Sequence, residues 1–197
     1  GSYFNVVAYG NGLFATTGDG GAIFTSAEGT NWTQQTSPTT DGLWGMTFGN
    51  GLWVAVGGEG TIVTSPDGSH WTVQTNGIAA WLENVTFDNG QFVAVGGFGE
   101  ICASTDGTNW THQTLPANGE QLSGITSGNG LFVAVGSDGE IFTSPDGANW
   151  TQQNSGGDAS LYNVSYGNGH FIAVGDDGAI LLSTDATNWM ADTPGIS

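Results

Sequence analysis

The sequence predicts an all-β fold, a five-bladed β-propeller with four antiparallel strands per blade, and three observations predict it. The dipeptide Asn-Gly recurs at Asn11, Asn50, Asn89, Asn129 and Asn168, with successive spacings of 39, 39, 40 and 39 residues. Short runs of β-branched and aromatic residues flank every copy, with no stretch long enough for a three-turn helix. One turn is then written five times, as SAEGTNW, SPDGSHW, STDGTNW, SPDGANW and STDATNW. A four-stranded sheet of about 40 residues cannot bury both faces alone, so the five must stack. Stacking around an axis gives a propeller, whose blades number about 4 to 8. A linear β-solenoid is disfavoured, because its coils use shorter repeats and leave two open ends.

Each unit reads in order as L-x-x-V-T-F, G-N-G, L-F-V-A-V-G, two variable residues, G-x-I-F-T-S, the repeated turn, and N-W-T-Q-Q. Asn-Gly joins the first two strands, since both central positions of a type I′ hairpin turn need positive φ. In the repeated turn the Asp, Glu28 in the first unit, accepts hydrogen bonds from turn amides, and the tryptophan packs back over the sheet. The blades fall at 3–41, 42–80, 81–120, 121–159 and 160–197, within one domain over 1–197. With this phase no strand is exchanged between the termini. Closure then rests on packing between the first and last blades, helped by the tail ADTPGIS.

Charge is the compositional outlier. Among 197 residues there are 18 Asp and Glu and no Lys or Arg, a formal net charge of −18. Without a fixed cation the chain cannot neutralise phosphates, so nucleic acids and anionic membrane surfaces are poor partners. Lysine Schiff bases, guanidinium clamps and P-loop chemistry are excluded too. Trypsin has no cleavage site, and the composition suits a protease-rich or acidic exterior. The lone Cys102 sits in a hydrophobic strand slot and reads as inert core. No signal peptide and no membrane-spanning run is present, and Gly1-Ser2 reads as an expression scar.

Units such as GNGLFVAVGSDGEIFTSPDGANWTQQ resemble the bacterial propeller repeats of the Asp-box or BNR group, together with photosystem-assembly-factor-like propellers. The resemblance covers the whole chain. The turn departs from the usual S-x-D-x-G-x-x-W by lacking one residue between Asp and Gly. What the resemblance implies is a fold rather than a reaction, because Asp-boxes are structural turns in enzymes and binders alike.

Five copies permit an internal comparison, in which constant positions serve the blade and variable ones are free for a local task. Trp32, Trp71, Trp110, Trp150 and Trp189 are constant, as are Ile23, Ile62, Ile101, Ile141 and Ile180, and both series read as core. Variation gathers in two places that propeller geometry puts on one face. At the start of the inner strand stand Asn5, Trp44, Glu83, Ser123 and Tyr162, preceded by Tyr3, Gly42, Trp81, Gln121 and Ser160. The turns from second to third strand hold Asp19-Gly20, Gly58-Glu59, Gly97-Phe98, Ser137-Asp138 and Asp176-Asp177. The candidate ligand-binding residues are therefore Trp44, Trp81, Tyr162, Glu83, Glu59, Phe98, Asp138 and Asp177. Aromatics with carboxylates suit either a sugar or a protein; the competing reading is that Trp44, Trp81 and Tyr162 plug a central channel.

No catalytic residue is assigned. A glycosidase needs two flanking carboxylates, and Glu83 is the one inner-strand acid near the axis, since Asp88 belongs to the far turn. A sialidase needs arginines that the sequence lacks. His70, His112 and His170 occupy three different strand contexts, so no metal site and no cofactor is predicted. Acidic pairs such as Asp176-Asp177 and Asp138 with Glu140 read as solvated turn acids rather than calcium ligands. The predicted function is a non-catalytic binding or display module, extracellular or on a bacterial cell surface, with a glycan or protein ligand. The alternative is a self-associating subunit of a surface layer or filament, and an engineered repeat scaffold is a third reading.

Overall fold

The computed structural model describes residues 3–115 and 121–192. Gly1-Ser2 and residues 193–197, which hold most of the tail expected to help closure, lie outside the described residues. The described residues form five sheets of four antiparallel strands, each built from consecutive strands in simple meander order. Among the described residues no sheet combines strands from both ends of the chain. In the fourth blade the strands are Leu122–Gly128, Leu131–Gly136, Ile141–Ser144 and Thr151–Gln153. Each Asn-Gly hairpin has its Asn at φ 49–51° and its Gly at φ 76–79°, the left-handed pair that a type I′ turn requires.

Within 1–197 the contacts gather into two compact units, Gly1–Ala94 with Cys102–His112, and Val95–Ile101 with Gln113–Ser197. In each, the core lies in the seams between successive blades rather than inside a blade. A blade's trailing face, turned toward the next blade, contributes residues from its second and third strands. The leading face of the next blade meets it. In the first unit Val54, Val56 and Ile62 of the second blade pack against Leu82, Val85, Phe92, Ala94 and Cys102 of the third. In the second unit Val133, Val135 and Ile141 of the fourth blade meet Leu161, Val164, Phe171 and Ala173 of the fifth. Cys102 is fully buried in its seam, as expected of inert core.

Close approach at these seams depends on glycine. A Cβ on Gly10 would stand 2.3 Å from the Phe48 ring, one on Gly49 2.0 Å from Phe87, and one on Gly128 2.2 Å from Tyr166. The first strands of the first, second and fourth blades thus end on a glycine that receives the aromatic of the following blade. The fifth copy, Gly167, has nothing within 4 Å.

The repeated turn closes on itself. Asp106 Oδ1 accepts from the backbone N–H groups of Thr108 and Asn109 at 2.8 Å each, while Asn109 Nδ2 donates to Asp106 Oδ2 at 2.7 Å. Asp67, Asp146 and Asp185 accept from the corresponding backbone amides of their own turns. Every tryptophan of the constant series donates its indole N–H to the carbonyl three residues back, from Trp32 to Gly29 through Trp189 to Ala186.

Two expectations about the core need correction. Trp71 is buried, but Trp110, Trp150 and Trp189 are half-buried and Trp32 is exposed; Ile180 is half-buried where its four counterparts are fully enclosed. Glu140 is buried too, not a solvated turn acid. Position in the repeat determines which way a side chain points, but the neighbouring blade determines whether it is covered.

Two outcomes follow. Gly49→Ala, forcing a methyl into the Phe87 ring, is expected to cost about 1–3 kcal/mol of unfolding free energy by overpacking. Gly167→Ala, at the same repeat position but facing open space, is expected to change stability by less than about 0.5 kcal/mol. Chemical denaturation of the two variants measures the contrast. The hydrogen bonds from backbone amides hold Asp106, Asp146 and Asp185 well below the usual carboxylate range. A folded-state pKa below the unfolded one contributes stability that is present above about pH 4 and is lost as pH falls toward the folded value. Neutralising the net charge of −18 acts in the opposite direction, so the comparison with Asp146→Asn isolates the turn. In thermal melts wild type is expected to exceed Asp146→Asn at pH 7, and the gap to close as pH drops below about 4.

Candidate functional site

The variable positions occupy one edge of each blade, and backbone hydrogen bonds tie them together. Between second and third strands the chain makes a short 3-10 turn, for example Gly58–Gly60 after Leu52–Gly57. The N–H of Gly58 donates to Gly42 O at 3.0 Å, that of Ser137 to Gln121 O at 3.0 Å and that of Asp176 to Ser160 O at 2.9 Å. The residues entering the inner strand therefore lie beside the variable turn of the same blade, as the sequence predicts.

In the first unit, Trp44 is half-buried and lies over its own turn. A Cβ on Gly42 would meet its Nε1 at 2.8 Å, and one on Gly58 would meet Cη2 at 3.8 Å. Glu59, the middle residue of that turn, is exposed. Trp81 and Glu83 are both half-buried. Burial pushes the Glu83 carboxyl up, against a smaller opposing effect from its hydrogen bond with the Trp81 side chain. Trp44 and Trp81 are thus partly engaged by the protein itself.

The second unit presents its side chains more openly. Phe98 is 59% exposed and Tyr162 54% exposed, and Asp138 and Asp177 also face solvent. The Tyr162 hydroxyl donates to Asp176, which raises the phenol's pKa and pins the ring against its turn. Asp176 was not among the predicted binding residues, although it is the one that orients Tyr162. Among the described residues no three of His, Cys, Asp and Glu come together to hold a metal ion.

The backbone of these turns carries the least expected feature. The middle residue is left-handed in every blade: Gly20 at φ 64°, Glu59 at 55°, Phe98 at 58°, Asp138 at 52° and Asp177 at 54°. Left-handed backbone costs a residue with a Cβ roughly 1–2 kcal/mol, and for a bulky side chain it is a genuine outlier. The first blade avoids the cost with Gly20. That glycine is the signal by which the constraint on the other four could have been read.

Comparison with known proteins places this arrangement. The family model for the DUF6242 β-propeller domain matches residues 101–195. A catalytically inactive virginiamycin B lyase from Staphylococcus aureus, solved with quinupristin, superposes with a TM-score of 0.90 at 15% identity, covering 100% of this chain and 72% of that one. YCF48 bound to a D1 peptide superposes with a TM-score of 0.74 at 18% identity, covering 97% of this chain and 66% of that one. YCF48 from Cyanidioschyzon merolae gives 0.73 at 16% identity, over 100% and 71%. No curated protein sequence matches significantly. The fold is that of a β-propeller. The sequence resemblance to a propeller group is supported, by structures that cover this chain almost wholly while it spans two thirds to three quarters of theirs.

In this propeller the strain at the variable turn gives a direct test. Phe98→Gly is expected to hold or raise unfolding free energy, by up to about 1 kcal/mol, because relief of left-handed strain exceeds the added backbone entropy of glycine. Denaturant melts of the two proteins measure it.

Proposed function

We propose that the chain is a non-catalytic binding module of an extracellular or cell-surface bacterial protein, engaging a protein or glycan ligand through its variable turns. The observation that carries this reading is Phe98, a large apolar side chain held exposed on left-handed backbone where the first blade uses glycine. An exposed phenylalanine on left-handed backbone is the kind of anchor that contacts with another protein favour. Phenylalanine has no polar tip, so it suits an apolar side chain of a protein or peptide; Tyr162 with Asp176, and Asp138 and Asp177, supply polar partners in the same unit.

Several lines support the class. YCF48, which superposes on 97% of this chain, is solved bound to a D1 peptide, and that supports a peptide ligand. No reaction is assigned, because Glu83 is half-buried and hydrogen-bonded with Trp81, and the other carboxylate of its strand, Asp88, lies at the far end beside the Asn-Gly turn. The absence of Lys and Arg supports an exterior setting. A second reading, a self-associating structural subunit, is supported by exposed apolar side chains such as Val7, Tyr9 and Ile172.

Parallel peptide and glycan arrays test the ligand class. Wild type is expected to retain a defined set of peptides, and Phe98→Gly, Tyr162→Ala and Asp177→Asn each to lose them at least tenfold, an effect of about 1.4 kcal/mol. Retention of sugars alone would redirect the proposal to a glycan. Flat arrays of both kinds would remove it.

A further inference from the structure

The linkers from one blade to the next pack against the variable turns, and each fills its seam differently. Thr39, Ile78 and Gly157 stand at one repeat position, four residues before Leu43, Leu82 and Leu161. Asp41, Ala80 and Ala159 follow two residues later. The three linkers share one backbone placement. A Cβ on Gly21, Gly60 or Gly139 would meet the carbonyl oxygen of Thr39, Ile78 or Gly157 at 2.2, 2.2 and 2.3 Å respectively. At the first seam the filling is polar, with Thr39 and Thr61 both donating to Asp41 Oδ2, at 3.0 and 2.6 Å. At the second it is aliphatic, with Ile78 buried in one cluster with Ile62, Leu82 and Cys102.

Between the fourth and fifth blades these positions hold only small residues. Gly157 stands for Ile78, Ala159 for Asp41 and Ala179 for Thr61. The result is an apolar pocket of about 180 Å³, lined by Gly157, Ala159, Leu161, Ala179, Leu181 and Ala191. All of its walls lie within the second unit. Leu161 and Leu181 are its buried part, whereas Gly157 faces solvent. Carboxylates surround it. Asp158, in the linker itself, is exposed. Asp176 donates its backbone N–H to Ser160 O and accepts from the N–H of Ala179, both at 2.9 Å, which sets Asp176 and the exposed Asp177 beside the pocket wall. The sequence has no Lys or Arg to balance these charges.

We propose that this pocket receives one branched aliphatic side chain of a peptide ligand, with lysine or arginine on either side of it. Ile78 supplies the shape. At the same backbone position it packs such a side chain with Leu82 and Cys102, the counterparts of Leu161 and Leu181. Charge complementarity supplies the flanks, since Asp158, Asp176 and Asp177 favour a cationic neighbour. The inference deepens the proposed function and rests on it for the existence of a peptide ligand.

Titration of the isotope-labelled full chain with the peptide Gly-Lys-Ser-Ile-Ser-Lys-Gly, followed by nuclear magnetic resonance at low salt, tests it. The amide resonances of Gly157, Ala159 and Ala179 are expected to shift saturably. Replacing Ile by Ala, or both Lys by Glu, should weaken binding at least about tenfold, and added salt should weaken it further. Gly157 is not left-handed, and a Cβ there would meet nothing within 4 Å. Gly157→Ile should therefore fill the pocket as Ile78 fills its own, raising the denaturation midpoint above that of Gly157→Ala and weakening the peptide at least about tenfold. Gly157→Ala should bind within about threefold of wild type, and Ala179→Leu should block the pocket from its other wall. Equal binding of the Ile and Ala peptides, or undiminished binding by folded Gly157→Ile and Ala179→Leu, would overturn the proposal. Tenfold tighter binding by a chain ending at Asp192 would assign the pocket to residues 193–197 and overturn it too. Array peptides released by Phe98→Gly but not by Gly157→Ile would remove the pocket and leave the proposed function standing, whereas a wild type that retains no peptide would remove both.

Discussion

A four-stranded blade has two apolar faces and no interior of its own, and the demand that each face be covered by the next blade governs everything else in this chain. Hydrophobic stabilisation follows area removed from water. Here that area lies almost wholly between sheets. Val133 and Val135 are buried because a fifth blade follows the fourth; Ile172 and Val174, at the same positions, stay exposed. Glycines at the ends of the first strands let the inner strands approach, and the aromatic of the next blade takes the space a side chain would need. Seam packing is thus directional, a slot on one side and a ring on the other.

The repeated turn is a separate device, and the first blade shows that it does not depend on the seam. Trp32 is 39% exposed, yet its indole still donates to Gly29 at 3.2 Å, as Trp71 does to Gly68 at 3.0 Å from a buried position. Likewise the turn carboxylates take their amides from within three residues. Such contacts hold the hairpin between third and fourth strands without help from a neighbouring blade. Local turn contacts and interfaces between neighbouring blades are thus separate contributions, as expected of repeat architectures.

This division of labour explains what was legible in the sequence. Strand order, hairpin turns and blade boundaries are local, and the period of 39–40 residues with its Asn-Gly pairs carries them. Burial is not local. The same letter is core in one blade and surface in another, as Trp71 and Trp32 show, so the constant tryptophans could not all be core. At the candidate site the grouping of inner-strand starts with second-to-third turns was readable, because both vary between repeats. The backbone state of Phe98 was readable only by setting it against Gly20, and the tie between Tyr162 and Asp176 is a matter of side-chain reach rather than pattern.

The distribution of cost across the repeat separates fold from use. At the seams, glycine is kept wherever the neighbouring blade supplies an aromatic, since an added methyl would collide with a ring. In the second-to-third turns the constraint is as severe, with φ between 52° and 64°, yet only the first blade answers it with glycine at that position. Glu59, Phe98, Asp138 and Asp177 each retain a side chain that the fold would hold more easily without. Four such positions in one small protein amount to several kcal/mol against a total stability of about 5–15 kcal/mol. All four side chains are exposed, so burial does not offset that cost. Their exposure, at the same edge of the blade in each repeat, is what a recognition role requires.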